Sequence, residues 1–182
     1  MDYYELKIKG LTKKLPLISL GPKIKVASFN LLGDAELVDI LAKEVFGKIK
    51  DIEFDYLVGP EVKVVPLLHE LTKLLNKKRY VVCRKQIHAY MVSPIKSSRE
   101  NPLVLNGEDA LLIKNKKVII VDDVVTTGST IYSVERLMML AKASVVAKVA
   151  LFRQGDQLHH SHNDLIFLGK LPVFTKRKLT LA

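Results

Sequence analysis

The segment 118–130, with the sequence VIIVDDVVTTGST, restricts the fold more than any other part of the chain. Its first four residues are all apolar, which is typical of a strand buried on both faces of a parallel sheet. Asp122 and Asp123 follow directly, and a turn rich in Thr, Ser and Gly then leads into a helix with apolar residues at helical spacing. The segment therefore predicts a buried strand that delivers two carboxylates to the carboxyl end of a sheet, where α/β proteins bind ligands.

Strand and helix patterns alternate along the rest of the chain. Four further runs of β-forming residues are predicted strands: 56–58, 80–83, 145–152 and 165–168. One amphipathic helix is predicted to begin after its N-cap Asp34 and to end just before Gly47, which would be its C′ residue, and Pro66 opens a second. Strands separated by helices at this spacing predict an α/β fold, with a doubly wound, mostly parallel sheet flanked by helices.

The segment 93–101 interrupts this alternation. Its sequence, SPIKSSREN, has no periodicity and contains several residues that break helices and strands. We expect a long mobile loop here, and loops of this kind in compact α/β domains are often lids over a binding site. A connection without a function is the alternative.

Length and charge narrow the class of protein. A chain of 182 residues suits a single domain, and 29 Lys and Arg against 19 Asp and Glu give a net charge of +10. This excess favours an anionic partner, but it is spread evenly along the chain, which makes nucleic acid an unlikely one. No apolar run approaches the ~18 residues of a membrane span, and the acidic start MDYYE lacks the pattern of a signal peptide. We therefore expect a cytoplasmic protein without a membrane partner.

The turn and the acidic pair in 118–130 predict two kinds of contact with a ligand. The turn consists of Thr126, Thr127, Gly128, Ser129 and Thr130. Backbone N–H groups and hydroxyls at the start of a helix form a site for a phosphate monoester. The carboxylates repel phosphate but accept hydrogen bonds from sugar hydroxyls or help to hold Mg²⁺, so a ribose 5-phosphate satisfies both. The motifs GxxxxGK[ST] and GxGxxG are absent. A structural acidic pair followed by a capping turn is the alternative.

The same segment resembles the phosphoribosyl diphosphate (PRPP) signature of the type I phosphoribosyltransferases. The resemblance extends from about Val26 to Phe174. VGPEVK at 58–63 is similar to the loop that holds pyrophosphate, and YVVCRK at 80–85 is similar to a strand ending in Arg-Lys in the adenine and xanthine branches. LGKLPVF at 168–174 resembles the tail of archaeal adenine phosphoribosyltransferase-like proteins.

This resemblance implies roles for the acidic pair and for the turn. Asp122 and Asp123 would be catalytic residues that bind the ribose 2′ and 3′ hydroxyls and help to hold Mg²⁺, and the turn 126–130 would bind the 5′-phosphate. The segment 93–101 would be the family's flexible lid. Glu100 in this lid is a candidate acceptor for the proton of the incoming base, with a solvated side chain as the alternative.

It also implies roles for residues around the pyrophosphate group. Glu61, Val62 and Lys63 would lie in the pyrophosphate loop, with Lys63 catalytic and a cis peptide expected at Val62–Lys63. Arg84, also catalytic, and Lys85 would reach pyrophosphate oxygens, which in this family often happens across a dimer interface.

The implied fold is a single domain over 1–182, with a core at about 34–152, a small hood at about 1–33 and 153–182, and a flexible lid. The implied activity is that of a Mg²⁺-dependent, homodimeric purine phosphoribosyltransferase. It would convert PRPP and a purine base, adenine as the best single choice, to a nucleoside monophosphate and pyrophosphate.

Two alternatives stay open. One is the same reaction on hypoxanthine, guanine, xanthine or orotate. The other is a PRPP-binding regulatory protein that has lost catalysis. Two departures from the adenine branch bear on this choice: Val64 follows Lys63 where Gly is usual, and the lid lacks the acidic-aromatic pattern of that branch.

A cluster of His159, His160 and His162 is interpreted as part of a solvated loop rather than a metal site.

Overall fold

The computed structural model describes residues 2–100, 102–155 and 164–175, so the histidine cluster lies outside the described residues. The strands are β1 (Tyr3–Ile8), β2 (Leu11–Gly21), β3 (Ile24–Ala27), β4 (Tyr56–Pro60), β5 (Tyr80–Cys83), β6 (Ile95–Lys96), β7 (Val104–Leu105), β8 (Lys117–Val125), β9 (Ser144–Gln154), β10 (Ile166–Leu171) and β11 (Val173–Thr175). The helices are α1 (Ala35–Ile49), α2 (Val65–Leu74), α3 (Gly107–Ile113) and α4 (Ser129–Leu140). No helix in these ranges is long and apolar enough to cross a membrane.

A five-stranded parallel sheet with the order β10-β9-β8-β4-β5 forms the centre of the molecule. The predicted strand at 118–121 lies in the first half of β8, and its four residues are fully buried. β8 continues through the acidic pair to Val125, because Asp122 and Val125 keep their pairing with β9. The predicted parallel α/β sheet is confirmed.

Helices cover both faces of this sheet. Ile119 and Val121 of β8 pack with α1 and α2, whereas their neighbours Val118 and Ile120 pack with α3 and α4. This alternation follows from the two-residue period of a strand, which sends successive side chains to opposite faces. The continuous apolar run in β8 is therefore required by a sheet buried on both sides.

A second, antiparallel sheet with the order β1-β2-β3-β11 lies in the region of the predicted hood. Leu6, Leu15 and Ala27 of this sheet join the core beside α1. The buried side chain of Gln154 donates a hydrogen bond from Nε2 to the Ala27 carbonyl at 2.8 Å, which ties the end of β9 to β3. The predicted boundaries between hood and core stay a prediction.

Three local predictions have different outcomes in the structure. The Asp34 cap is confirmed, since its Oδ1 accepts a hydrogen bond from Leu37 N at 3.1 Å. The predicted end just before Gly47 is wrong: α1 runs on to Ile49, whose side chain is fully buried in the core. Within the predicted loop 93–101, Ile95 and Lys96 form β6 and pair with β7, so this part of the segment is a short strand.

Candidate active site

A cavity of about 800 Å³ lies at the carboxyl end of the central sheet. Its walls come from the loop after β4, the end of β8, the start of α4 and the chain just before β7. Eight of the predicted site residues line it: Glu61, Val62, Lys63, Lys85, Asp122, Asp123, Ser129 and Thr130. Thr126 and Gly128 line a smaller crevice that shares Asp122, Ser129 and Thr130 with the cavity. Segments far apart in sequence thus meet in one place.

The two carboxylates at the end of β8 are buried, with Asp122 5% exposed and Asp123 9% exposed. Asp122 Oδ1 accepts a hydrogen bond from Asp123 N at 2.9 Å, and Asp123 Oδ1 accepts one from Val124 N at 2.8 Å. Asp123 Oδ2 is buried and has no hydrogen-bond partner among the described residues. A buried oxygen of this kind needs a partner, and a ligand hydroxyl or a cation would supply one.

The electrostatics of the pair differ from those of two exposed carboxylates. Burial, and next the charge of Asp123, raise the pKa of Asp122 to about 8, although the nearby Lys63 ammonium acts in the opposite direction. Two carboxylates this close in a buried site disfavour a second negative charge. At neutral pH the Asp122 carboxyl of the ligand-free protein is therefore mostly protonated.

The turn that precedes α4 has the backbone geometry of an anion-binding site. Gly128 adopts a left-handed conformation with φ 88° at the N-cap of the helix, and it has no side chain to cap the first turn. Thr127 Oγ1 lies 3.4 Å from Ser129 N, from which it accepts a hydrogen bond. N–H groups at the start of a helix, together with the helix dipole, attract a phosphate group.

The loop after β4 differs in detail from its prediction. The cis peptide bond joins Glu61 and Val62, one residue before the predicted Val62–Lys63 position. A Cβ at Gly59 would lie 2.6 Å from the Val121 carbonyl oxygen, so only glycine allows β4 to approach β8 this closely. Val64, which replaces the glycine usual in the adenine branch, is buried in the core.

Glu61 has a different environment from the one predicted for a substrate-binding residue. Its Oε2 forms an ion pair with Arg84 Nε at 2.5 Å, and its Oε1 accepts a hydrogen bond from Lys85 N at 2.6 Å. Arg84 Nη2 also lies 3.2 Å from His88 Nε2. Within this chain Arg84 is absent from the residues that line the cavity, whereas Lys85 is among them. No signal in the sequence indicated the contacts of Glu61, because its partners lie more than twenty residues away.

The predicted lid is anchored at its base. Ser97 is buried, its N donates to the Leu103 carbonyl at 2.9 Å, and its Oγ accepts from Leu103 N at 3.0 Å. Pro102 and Leu103 line the cavity, and sequence reasoning missed both. Glu100 is exposed and does not line the cavity.

The donor set suits a hard cation shared with a ligand. Among the described residues no group of three His, Cys, Asp or Glu side chains could hold a metal by itself. Two carboxylates, one of which has a buried oxygen without a hydrogen-bond partner in the described ranges, match the way in which Mg²⁺ binds to one or two carboxylates and to substrate phosphates. Asp122 and Asp123 therefore fit the group that the sequence resemblance implied.

Comparison with known proteins decides the family. The phosphoribosyl transferase domain model matches residues 32–175 of the chain. The chain belongs to the phosphoribosyltransferase family. This confirms the predicted family, and the signature segment at 118–130 lies inside the matched region.

Relatives of this phosphoribosyltransferase act on different bases, according to their names. It is 30% identical to the orotate phosphoribosyltransferase of Methanosphaera stadtmanae, over 98% of this chain and 99% of the relative. It is 28% identical to the adenine phosphoribosyltransferase of Mycoplasma capricolum, over 80% of each chain. It is 34% identical to the orotate phosphoribosyltransferase of Archaeoglobus fulgidus, over 64% of this chain and only 58% of that relative.

Solved structures show the same fold. The adenine phosphoribosyltransferase of Thermoanaerobacter pseudethanolicus superimposes with a TM-score of 0.67 at 20% identity, over 92% of this chain and 95% of that chain. The adenine phosphoribosyltransferase of Trypanosoma brucei, solved with AMP, pyrophosphate and ribose-5-phosphate, gives a TM-score of 0.61 at 17% identity, over 75% and 65% of the two chains. The type I phosphoribosyltransferase fold is thereby confirmed.

Proposed function

We propose that this phosphoribosyltransferase transfers the 5-phosphoribosyl group of PRPP to a nucleobase, giving a nucleoside monophosphate and pyrophosphate. One observation carries the proposal. The buried acidic pair lines the same cavity as the start of α4 and the two lysines Lys63 and Lys85, and Asp123 Oδ2 has no hydrogen-bond partner within the part of the chain that the structure describes. A ligand with a diol, a phosphate and a pyrophosphate group has a partner for each of these features.

The acidic pair and the α4 turn would bind the ribose 5-phosphate half of PRPP. Asp123 Oδ2 would accept a hydrogen bond from a ribose hydroxyl, which gives this buried oxygen its missing partner. The 5′-phosphate would lie against the N–H groups at the start of α4 and the hydroxyls of Ser129 and Thr130. These contacts hold the sugar in place while the bond at its anomeric carbon breaks.

The loops after β4 and β5 would stabilise the leaving group. Departure of pyrophosphate leaves an oxocarbenium-like sugar and places negative charge on the leaving oxygens, which the ammonium groups of Lys63 and Lys85 would stabilise. Asp122 and Asp123 would hold Mg²⁺, which when bound would neutralise further negative charge on the leaving group. Pro102 and Leu103, which line the cavity, would help to exclude water and so protect the sugar from hydrolysis.

We propose adenine as the base. The relative from Mycoplasma capricolum carries this name and aligns over 80% of both chains. A second candidate is orotate, because the relative from Methanosphaera stadtmanae aligns over nearly the whole of both chains. In addition, Arg153 Nε at the end of β9 is buried and has no hydrogen-bond partner in the described part of the chain. Arg153 is not among the residues that line the cavity, but it pairs with Val125 at the end of β8, and the carboxylate of an orotate bound beyond that end would be a suitable partner.

The test is pyrophosphate release from PRPP and Mg²⁺ with adenine, hypoxanthine, guanine, xanthine or orotate, each supplied alone. Release with adenine supports the proposal, and release with orotate alone supports the second candidate. A Ferroglobus placidus relative named for hypoxanthine and guanine, 31% identical over 65% of this chain and 64% of its own, justifies the wider panel. PRPP binding without release under any condition would favour the regulatory protein instead.

We also propose that the protein is a cytoplasmic homodimer. Its hood would consist of residues from about 1–33 and 153–182, around a core at about 34–152. The dimer rests on the family resemblance. Light scattering at several concentrations tests it directly, and a monomer at every concentration would refute it.

A further inference from the structure

Glu61 connects two parts of the cavity wall that are distant in sequence. Its side chain is only 17% exposed, and both carboxylate oxygens have contacts, one with Arg84 and one with the backbone of Lys85. The backbone N of Glu61 also donates to the Cys83 carbonyl at 2.8 Å. Glu61 therefore holds the loop after β4 and the end of β5 together through three contacts.

The two cationic residues after β5 have different surroundings. The backbone of Arg84 is fixed on a second side by hydrogen bonds in both directions with Val104, each 2.7 Å long. The backbone N–H of Lys85 instead has the Glu61 carboxylate as its partner. Lys85 lines the cavity, whereas Arg84 does not. The backbone contact with Glu61 therefore lies at the residue that brings a cation to the cavity.

A direct contact between Glu61 and a pyrophosphate group would be unfavourable. A carboxylate and a pyrophosphate are both anions at neutral pH, so they repel each other. The two oxygens of Glu61 already accept from or pair with other groups of the chain. Its place in the cavity wall thus calls for a role other than ligand binding.

We propose that Glu61 is a positioning residue that holds Lys85 toward the pyrophosphate group. This inference rests on the proposed function, since it needs pyrophosphate as a ligand. Glu61 acts through Lys85, and its removal weakens the pyrophosphate contact while leaving the ribose 5-phosphate contacts in place.

The experiment compares calorimetric affinities for two separate ligands, pyrophosphate with Mg²⁺ and ribose 5-phosphate. Glu61→Ala and Lys85→Ala each weaken pyrophosphate binding about tenfold, the loss expected for one charge-assisted contact. Both variants keep the ribose 5-phosphate affinity within about twofold of wild type. Glu61→Gln loses less than Glu61→Ala, because its amide oxygen still accepts from Lys85 N. Glu53→Gln, an exposed residue that pairs with Lys117, is the control.

The double variant Glu61→Ala with Lys85→Ala tests whether the two residues act as one unit. If Glu61 acts through Lys85, the double variant binds pyrophosphate about as weakly as Lys85→Ala alone. Additive losses would overturn the proposal. So would tighter pyrophosphate binding by Glu61→Ala, which would identify Glu61 as a repulsive neighbour or a competitor for Arg84.

Two further outcomes separate the possible failures. An equal loss of both ligands in Glu61→Ala would mean a general structural role and would overturn the positioning proposal alone. Wild-type protein that binds neither ligand would refute the proposed function, and the positioning role with it.

Discussion

On one side of the cavity two carboxylates are buried at the end of β8, whereas on the other side two ammonium groups are exposed to solvent. We call the first, formed by residues 122–130, the ribose side, and the second, formed by 60–64 and 84–85, the pyrophosphate side. The ribose side is one continuous segment whose strand is locked by pairing with β9. The pyrophosphate side is assembled from two loops that Glu61 joins.

The two sides therefore differ in how firmly their charged groups are held. The carboxylates of the ribose side are buried and fixed, whereas the ammonium groups of the pyrophosphate side are exposed. Buried carboxylates cost stability and are tolerated where a ligand completes their contacts. Exposed lysines cost little and are free to follow a leaving group as charge develops on it. We infer that the ribose side determines affinity for PRPP and that the pyrophosphate side determines the rate of its cleavage.

The largest effect is expected on the ribose side. Asp122→Asn combined with Asp123→Asn should weaken PRPP binding about 100-fold, because two charge-assisted contacts to the ribose and its Mg²⁺ are lost. Titration calorimetry measures the affinity, and circular dichroism confirms that the fold is intact. Asp39→Asn, an exposed residue on α1 that pairs with Lys43, is the matched control. An unchanged affinity would remove the acidic pair from the site.

On the pyrophosphate side we expect a loss of rate. Lys63→Ala and Lys85→Ala should lower kcat about tenfold or more with a smaller change in PRPP affinity, since their contacts strengthen as the leaving group gains charge. Arg84→Ala should lose less, because Arg84 faces Glu61 rather than the cavity. Steady-state kinetics test this ranking, with exposed Lys116→Ala as control. An Arg84→Ala loss as large as that of Lys85→Ala would support the predicted catalytic role of Arg84, exerted across a dimer interface.

These two sides also differ in how far the sequence predicted them. The strand β8, the acidic pair and the α4 turn are predictable because their order along the chain is their order in space. The contacts of Glu61 are not, since they join segments separated by 24 residues through a hydrogen bond that no local pattern encodes. The antiparallel sheet of β1 to β3 was not predicted as strands either, because its exposed faces lack the buried apolar runs of the central sheet.

A third prediction concerns the stability cost of the ribose side. The pKa of Asp122 is about 8 in the folded protein against an ordinary value of 3.8, so the folded state retains a proton that the unfolded state releases. Stability of the ligand-free protein should therefore fall as pH rises from about 4 to about 8. Asp122→Asn removes this dependence and should raise Tm at pH 8 by several degrees more than at pH 5. Thermal unfolding in EDTA measures this change in Tm, and an equal change in Tm at both pH values would contradict a buried, protonated Asp122 carboxyl.

The smallest effect expected is confined to the choice of base. If Arg153 pairs with a carboxylate on the base, Arg153→Met should lower kcat/KM for orotate about tenfold and leave adenine unchanged. Competition between the two bases in one reaction gives the ratio directly. Equal losses for both bases would assign Arg153 to the fold rather than to specificity.

The most direct measurement of the central claim is phosphorus NMR of one reaction that contains the protein, PRPP, Mg²⁺ and a nucleobase. The account predicts that the PRPP signals disappear while those of pyrophosphate and a nucleoside monophosphate grow in equal amounts, and that the variant with both Asp122→Asn and Asp123→Asn leaves PRPP unchanged. PRPP that persists with adenine, hypoxanthine, guanine, xanthine and orotate in turn would contradict the proposed transferase.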